Sequence, residues 1–174
     1  MTSQLRVDKI VPVDGVPTSG GGGIVQCVST TKTDTFTTAS TSFVDVTGLS
    51  ATITPKFSTS KIFVIVTTCG NTNGSKGYGR LMRGSTAIAV GDADGSKGRV
   101  TAAAIFQSNS RFCSTLPIIF MDSPGDTNAH TYGLRLRHTS VSTQTLILNQ
   151  SDDTTNNSTN SSMISSVTAM EVSA

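Results

Sequence analysis

From Ile24 onward the chain repeats one pattern. A short run that is apolar, or alternates apolar with polar, meets a cluster of Gly, Pro, Asn, Asp or Ser, and another run follows. Runs of this length bounded by turn residues predict strands. They fall at Ile24–Ser29, Thr33–Thr37, Ser42–Val46, Ala51–Thr54, Ile62–Gly70, Gly79–Arg83, Thr86–Val90, Thr101–Gln107, Thr115–Met121, Thr131–Arg137, Thr145–Asn149 and Ile164–Val172. The breaks between them are Gly48, Pro55, Asn71–Gly77, Gly84-Ser85, Gly91–Gly98, Pro124-Gly125 and Asp152–Ser162. Leu134 and Leu136 alternate with Arg135 and Arg137, which predicts one face in a core and one in water. Two runs differ. Ile62–Val66 and Ile118–Met121 are apolar at every position, so each is expected as a central strand covered on both sides.

No fifteen-residue window has the composition of a good helix. Short strands with turns at regular spacing predict an all-β sandwich or jelly roll. The outer face of a lone two-sheet sandwich meets water and should be polar. The second face of the two apolar runs is therefore expected against another copy of the chain.

Residues 1–23 read differently from the rest. Leu5, Val7, Ile10, Val11 and Val13 make an apolar-rich segment, Asp14-Gly15 marks a turn, and Gly20–Gly23 are four consecutive glycines. A glycine run maximises backbone freedom and acts as a joint. The expected organisation is an N-terminal arm with a Gly-rich hinge (1–23) and one β domain (24–174). Such a short apolar arm has little to fold against by itself and is expected to dock on a neighbouring copy or a larger assembly.

Composition strengthens the β reading. The chain has 28 Thr and 24 Ser among 174 residues, and β-branched Thr suits a pleated, half-wet surface while Ser serves turns. The net charge of +2, with basic residues scattered singly, gives no sign of a nucleic-acid partner. Seven Phe, two Tyr and no Trp give no obvious stacking platform for single strands. Cys27, Cys69 and Cys113 are odd in number and far apart, which is neither a disulfide framework nor a zinc pattern. All three are expected to be buried, reduced and poorly reactive, as befits assembly in a reducing cytoplasm. The opening residues do not read as a signal peptide, and no stretch approaches the ~20 apolar residues of a membrane helix.

Candidate chemistry is thin. No G-x-S-x-G elbow occurs, and His130 and His138 sit at opposite ends of one predicted strand, roughly 25 Å apart if it is extended. Both are expected as surface strand residues. Asp92-Ala-Asp94-Gly95 opens like a calcium loop, but Lys97 and Arg99 follow where ligands would be needed, so a turn is expected. Asp122–Asp126, with Pro124 and Gly125, also reads as a turn. The only Glu is Glu171, no carboxylate pair flanks an evident cleft, and the glycine run lacks the Lys of a phosphate loop. No enzyme activity and no cofactor is expected. Polar loops on a rigid β scaffold are where binding surfaces usually lie. The candidates are Asn71–Gly79, Gly91–Arg99 and Gln107–Ser114, with Lys76, Tyr78, Arg80, Lys97, Arg99 and Arg111 in or beside them.

Several stretches resemble virion proteins of tailed phages, especially those of marine cyanobacteria. Leu5-Arg-Val-Asp-Lys-Ile-Val-Pro12 is similar to the N-terminal arm of such fibre-like proteins. Lys32–Leu49 with Ser50–Pro55 is the most specific match, and Ser60–Val66, Leu81–Ile88, Phe120–Pro124 and Ser166–Val172 fit the same pattern. The resemblance implies a jelly-roll head like those of C1q and tumour necrosis factor, assembled as a homotrimer in a tail fibre or appendage. It implies a virion location, partners among other virion proteins, and a possible host saccharide or protein as receptor. One departure stands out: only about 23 residues precede the head, where a long fibre would carry a shaft of repeats. A free saccharide-binding module and a capsid-decorating knob are the alternatives, and neither requires membrane insertion.

Overall fold

The structure is a computed structural model and describes residues 23–72, 76–104, 113–139, 145–151, 158 and 160–173. The apolar arm positions Leu5, Val7, Ile10, Val11 and Val13, and Arg111, lie outside the described residues. The chain is all β, with eleven strands and no helix among the described residues. They are β1 (Ile24–Lys32), β2 (Phe36–Thr38), β3 (Val44–Ile53), β4 (Lys61–Thr72), β5 (Gly77–Arg83), β6 (Thr86–Ile88), β7 (Ala102–Ala104), β8 (Ser114–Asp122), β9 (His130–His138), β10 (Leu146–Leu148) and β11 (Ser165–Val172).

The antiparallel pairings are nested. β1 pairs with β11, β3 with β9, β4 with β8, and β5 with both β6 and β7. The first half of the chain thus lies along the second half as one long double ribbon. Its levels alternate between two sheets, with the β11–β4 pairing joining levels within one sheet and the β9–β5 pairing joining levels within the other. One sheet has six strands (β1, β11, β4, β10, β2, β8) and the other five (β3, β9, β5, β6, β7). Between them Ile62, Val64, Val66, Leu81, Leu136, Leu146, Leu148, Val167 and Ala169 are wholly buried. Alternation in β9 is as the pattern predicts: Tyr132, Leu134 and Leu136 enter the core, while Arg135 and Arg137 stay outside.

Four expectations are corrected. Ser42–Val46 and Ala51–Thr54 are one strand, β3. Gly48 (φ +77°) sits in a bulge where the register against β9 shifts between Asp45 and Ser50, so a residue that reads as a stop is an inserted residue within a ladder. The run Ile118–Met121 is not central: β8 pairs only with β4 and forms an edge, although β4 is central as expected. His138 is fully buried rather than on the surface, and His130, hydrogen-bonded to Asp126 at 2.9 Å, is mostly covered. Cys27 is exposed, while Cys69 and Cys113 are half-buried. Burial first, and then the neighbouring Cys69, holds the Cys113 thiol above its ordinary value, so low reactivity is retained there.

Glu171 is wholly buried, with no cation paired to it among the described residues. Its Oε1 accepts the backbone N–H groups of Lys56 (2.7 Å) and Phe57 (3.3 Å), and Oε2 accepts from Gln26 Nε2 (2.6 Å). It thereby ties β1 and β11 to the turn before β4. Burial raises its pKa, but the donors from Gln26, Ser60 and the turn outweigh that and hold the carboxyl below its usual range. A depressed carboxylate pKa adds stability above the unfolded value, lost as pH falls through about 4.5 and below. Glu171→Gln turns a donor toward donors and should cost about 1–3 kcal/mol at pH 7. Chemical denaturation at pH 7 and pH 3 should show the variant's deficit shrinking at the lower pH.

Candidate functional site

The two outer faces carry opposite chemistry. On the six-stranded sheet, register places Cys27, Met170, Phe63 and Met121 in one row across β1, β11, β4 and β8. The next row is Ser29, Thr168, Ile65 and Ile119, and the third is Thr31, Ser166, Thr67 and Pro117. None of these side chains carries a formal charge. Ile119 is 65% exposed and Met121 42%, large apolar groups left in water by a single chain. The apolar second face read from Ile62–Val66 is therefore present, and β8 extends it to the sheet edge.

The outer face of the five-stranded sheet is cationic. One row holds Asp45, Arg135 and Arg80, and the adjoining one holds Arg137, Tyr78 and Ala103. Arg135 reaches Asp45 through two bonds, Nε to Oδ1 at 2.7 Å and Nη2 to Oδ2 at 3.3 Å. Phe43, just before β3, meets two guanidinium groups, with Arg80 4.0 Å and Arg137 5.2 Å from its ring centre. Arg137 also lies 5.0 Å from the centre of the Tyr78 ring. Cations over aromatic faces are attracted by about 0.5–2 kcal/mol each.

The loop between β6 and β7 bends over this face. Ala89 turns left-handed (φ 54°) as the chain leaves β6, and Gly91 N–H donates to Val100 O at 3.1 Å to close the loop. Arg80 Nε donates to Arg99 O at 2.7 Å, and Arg99 Nε donates to Gly91 O at 2.7 Å. Arg137 Nη1 donates to Thr41 O at 3.3 Å, and its guanidinium packs against Gly98, where a Cβ would come within 2.8 Å of Nη2. Beside Asp45 an open groove of about 350 Å³ runs between the β3 bulge and β5, lined by Thr47, Gly48, Ser50, Met82 and Gly133.

Of the loop residues singled out from sequence, Tyr78 and Arg80 are strand residues, because β5 begins at Gly77. Arg80 and Arg99 are brought together. Lys97 is exposed and paired with Asp94 within the predicted turn, and Lys76 is exposed beside Thr139. Arg135, Arg137 and Phe43 were not among the candidates. Their signal is the Leu-Arg-Leu-Arg alternation, which places two arginines on one face but does not say which strand lies beside them.

Among the described residues no group of three His, Cys, Asp or Glu could hold a metal ion, and no helix is long and apolar enough to cross a membrane. No protein-family model matches the chain, and no curated protein matches it significantly.

Proposed function

We propose that the chain is a non-enzymatic virion protein of a tailed phage, a homotrimeric component of a tail fibre or appendage. The arm 1–23 attaches it to the particle, and the β head contacts the host surface or fills a structural position. The observation that carries this reading is the asymmetry of the outer faces. Three uncharged rows with Phe63, Ile65, Ile119, Met121 and Met170, flanked by Lys61 at the start of β4, suit burial against other copies, while the arginine-bearing face suits the outside. Closed symmetry buries such a face in every copy, as solubility demands. The nested double ribbon with alternating sheets supports a jelly roll, and the stretches that resemble phage fibre proteins support a head of the C1q and tumour necrosis factor kind. The saccharide-binding alternative draws on the arginine face.

Light scattering at micromolar concentration tests the assembly, with three chains of 18.0 kDa expected in each particle of solute. Ile119→Arg puts a charge into the uncharged rows and should give folded monomers, because a buried unpaired charge costs several kcal/mol. A wild-type monomer would overturn the trimer. Antibody labelling of purified particles of the encoding phage tests the location, and unlabelled particles would overturn the virion role.

A further inference from the structure

We infer that the arginine face binds an acidic polysaccharide, gripping carboxylate or sulfate groups with Arg80 and Arg99 while a neighbouring sugar lies in the groove along the β3 bulge. This rests on the reading that the face points outward in the assembly. Arg80, Arg99, Arg135 and Arg137 gather on and over one sheet, and Asp45 alone among the described carboxylates pairs with any of them. Arg80 stands directly opposite Arg135 across the ladder. Like charges directly opposite destabilise a sheet, so packing does not account for the pair.

The guanidinium groups are also preorganised. Arg80 and Arg99 each spend Nε on a backbone carbonyl, which fixes the plane and, among the described residues, leaves the two terminal nitrogens without a hydrogen-bond partner. That edge is the fork that matches a carboxylate or sulfate in two parallel bonds. Phe43, whose ring lies 4.0 Å from the Arg80 guanidinium and 5.2 Å from that of Arg137, holds Arg80 in place. Preorganisation lowers the ordering cost of binding. The groove supplies the second half of a saccharide site: it abuts Asp45, the partner of Arg135, and its floor is open because Gly133 carries no side chain. A nucleic acid fits less well. The cationic face is compact, the chain's net charge is only +2, and a strand backbone needs an extended basic track.

Calorimetric titration of the full chain tests the inference, with oligogalacturonate as the carboxylate probe, dextran sulfate oligomers as the sulfate probe, and maltohexaose and a single-stranded oligonucleotide as comparisons. Either acidic oligosaccharide should bind, more weakly as salt rises, and both comparisons should bind at least about tenfold more weakly. Arg80→Ala and Arg99→Ala should each weaken binding by about tenfold or more, and Arg80→Lys should recover part of the loss. Lys56→Ala, which removes the same charge in the turn before β4 and keeps the backbone N–H that Glu171 accepts, should change nothing. Arg99 lies in an exposed loop, so its variant remains informative even if Arg80→Ala is poorly folded. Binding of maltohexaose or the oligonucleotide as tightly as the acidic sugars, no binding of either acidic probe, or no loss in Arg99→Ala would overturn the inference. Light scattering on the same samples separates the two ideas. A trimer that binds neither acidic probe sinks only this inference, and a monomer that binds one sinks only the assembly.

Discussion

Asn149→Ala is expected to lower stability by roughly 4 kcal/mol, a large share of the 5–15 kcal/mol typical of a domain. Asn149 follows β10, is 1% exposed, and takes a left-handed backbone (φ 65°) that Asn tolerates and Ala resists by about 1–2 kcal/mol. Its Nδ2 donates to Lys32 O and Asp34 O, both at 2.9 Å, and its Oδ1 accepts from Ser165 Oγ at 2.6 Å. Its backbone N–H donates to Cys69 O and its carbonyl accepts from Met163 N–H, both at 2.9 Å. One side chain therefore joins the end of β1, the start of β11 and the end of β10. Truncation strands buried partners at about 1–3 kcal/mol each. Thermal unfolding should shift down by roughly 8–16 °C. Asn149→Gly keeps the backbone angle and loses only the side chain, so it isolates the hydrogen-bond share. A shift of under about 2 °C in Asn149→Ala would mean that the three bonds are not formed.

Gly70→Ala is expected to be nearly as damaging, for a different reason. A Cβ on Gly70 would lie 2.4 Å from Ile147 O and 2.8 Å from Leu148 Cδ2, where β4 passes β10. The first obstacle is backbone, so the strands must separate rather than a side chain rotate. Overpacking of this kind costs about 1–3 kcal/mol, and more when a ladder is forced apart. Gly84→Ala is the informative comparison. Nothing lies within 4 Å of a Cβ there, and the cost is only that of φ +57° in the β5–β6 turn. Denaturant midpoints should rank wild type above Gly84→Ala and Gly84→Ala above Gly70→Ala. The reverse order would mean that β4 and β10 are less closely apposed.

Strand rhythm and core alternation are legible in the chain because they depend on neighbours in sequence. Leu134 and Leu136 declare themselves buried by alternating with arginines. What is not legible depends on which strand comes alongside. The run Ile118–Met121 reads like Ile62–Val66, yet only the pairing scheme makes one an edge and the other central. Gly48 marks an interruption correctly but cannot say whether the chain turns or bulges. Asn149 and Glu171 look like a sequence-typical polar residue and a lone acid, and their burial follows from partners more than a hundred positions away. The same holds for the arginine face: Arg80 and Arg99 stand out locally, whereas Phe43, Arg135 and Arg137 join them only through register.

The nested ribbon also sets an order in which the chain can become itself. Arg83 pairs with Thr86 across Gly84-Ser85, whereas Gln26 meets Glu171 across 145 positions. Closing a short loop costs little entropy and closing a long one costs more, so the β5–β6 hairpin is the natural place to begin, with zippering outward from it. Contact order this high puts folding in the millisecond-to-second range rather than microseconds. During synthesis β1 emerges well before β11 and must wait for it. Until then the central strand β4 lacks β11 on one flank, and the apolar rows of its sheet stay uncovered. The wait for β11, ahead of any meeting between copies, is the interval in which this chain is most open to aggregation.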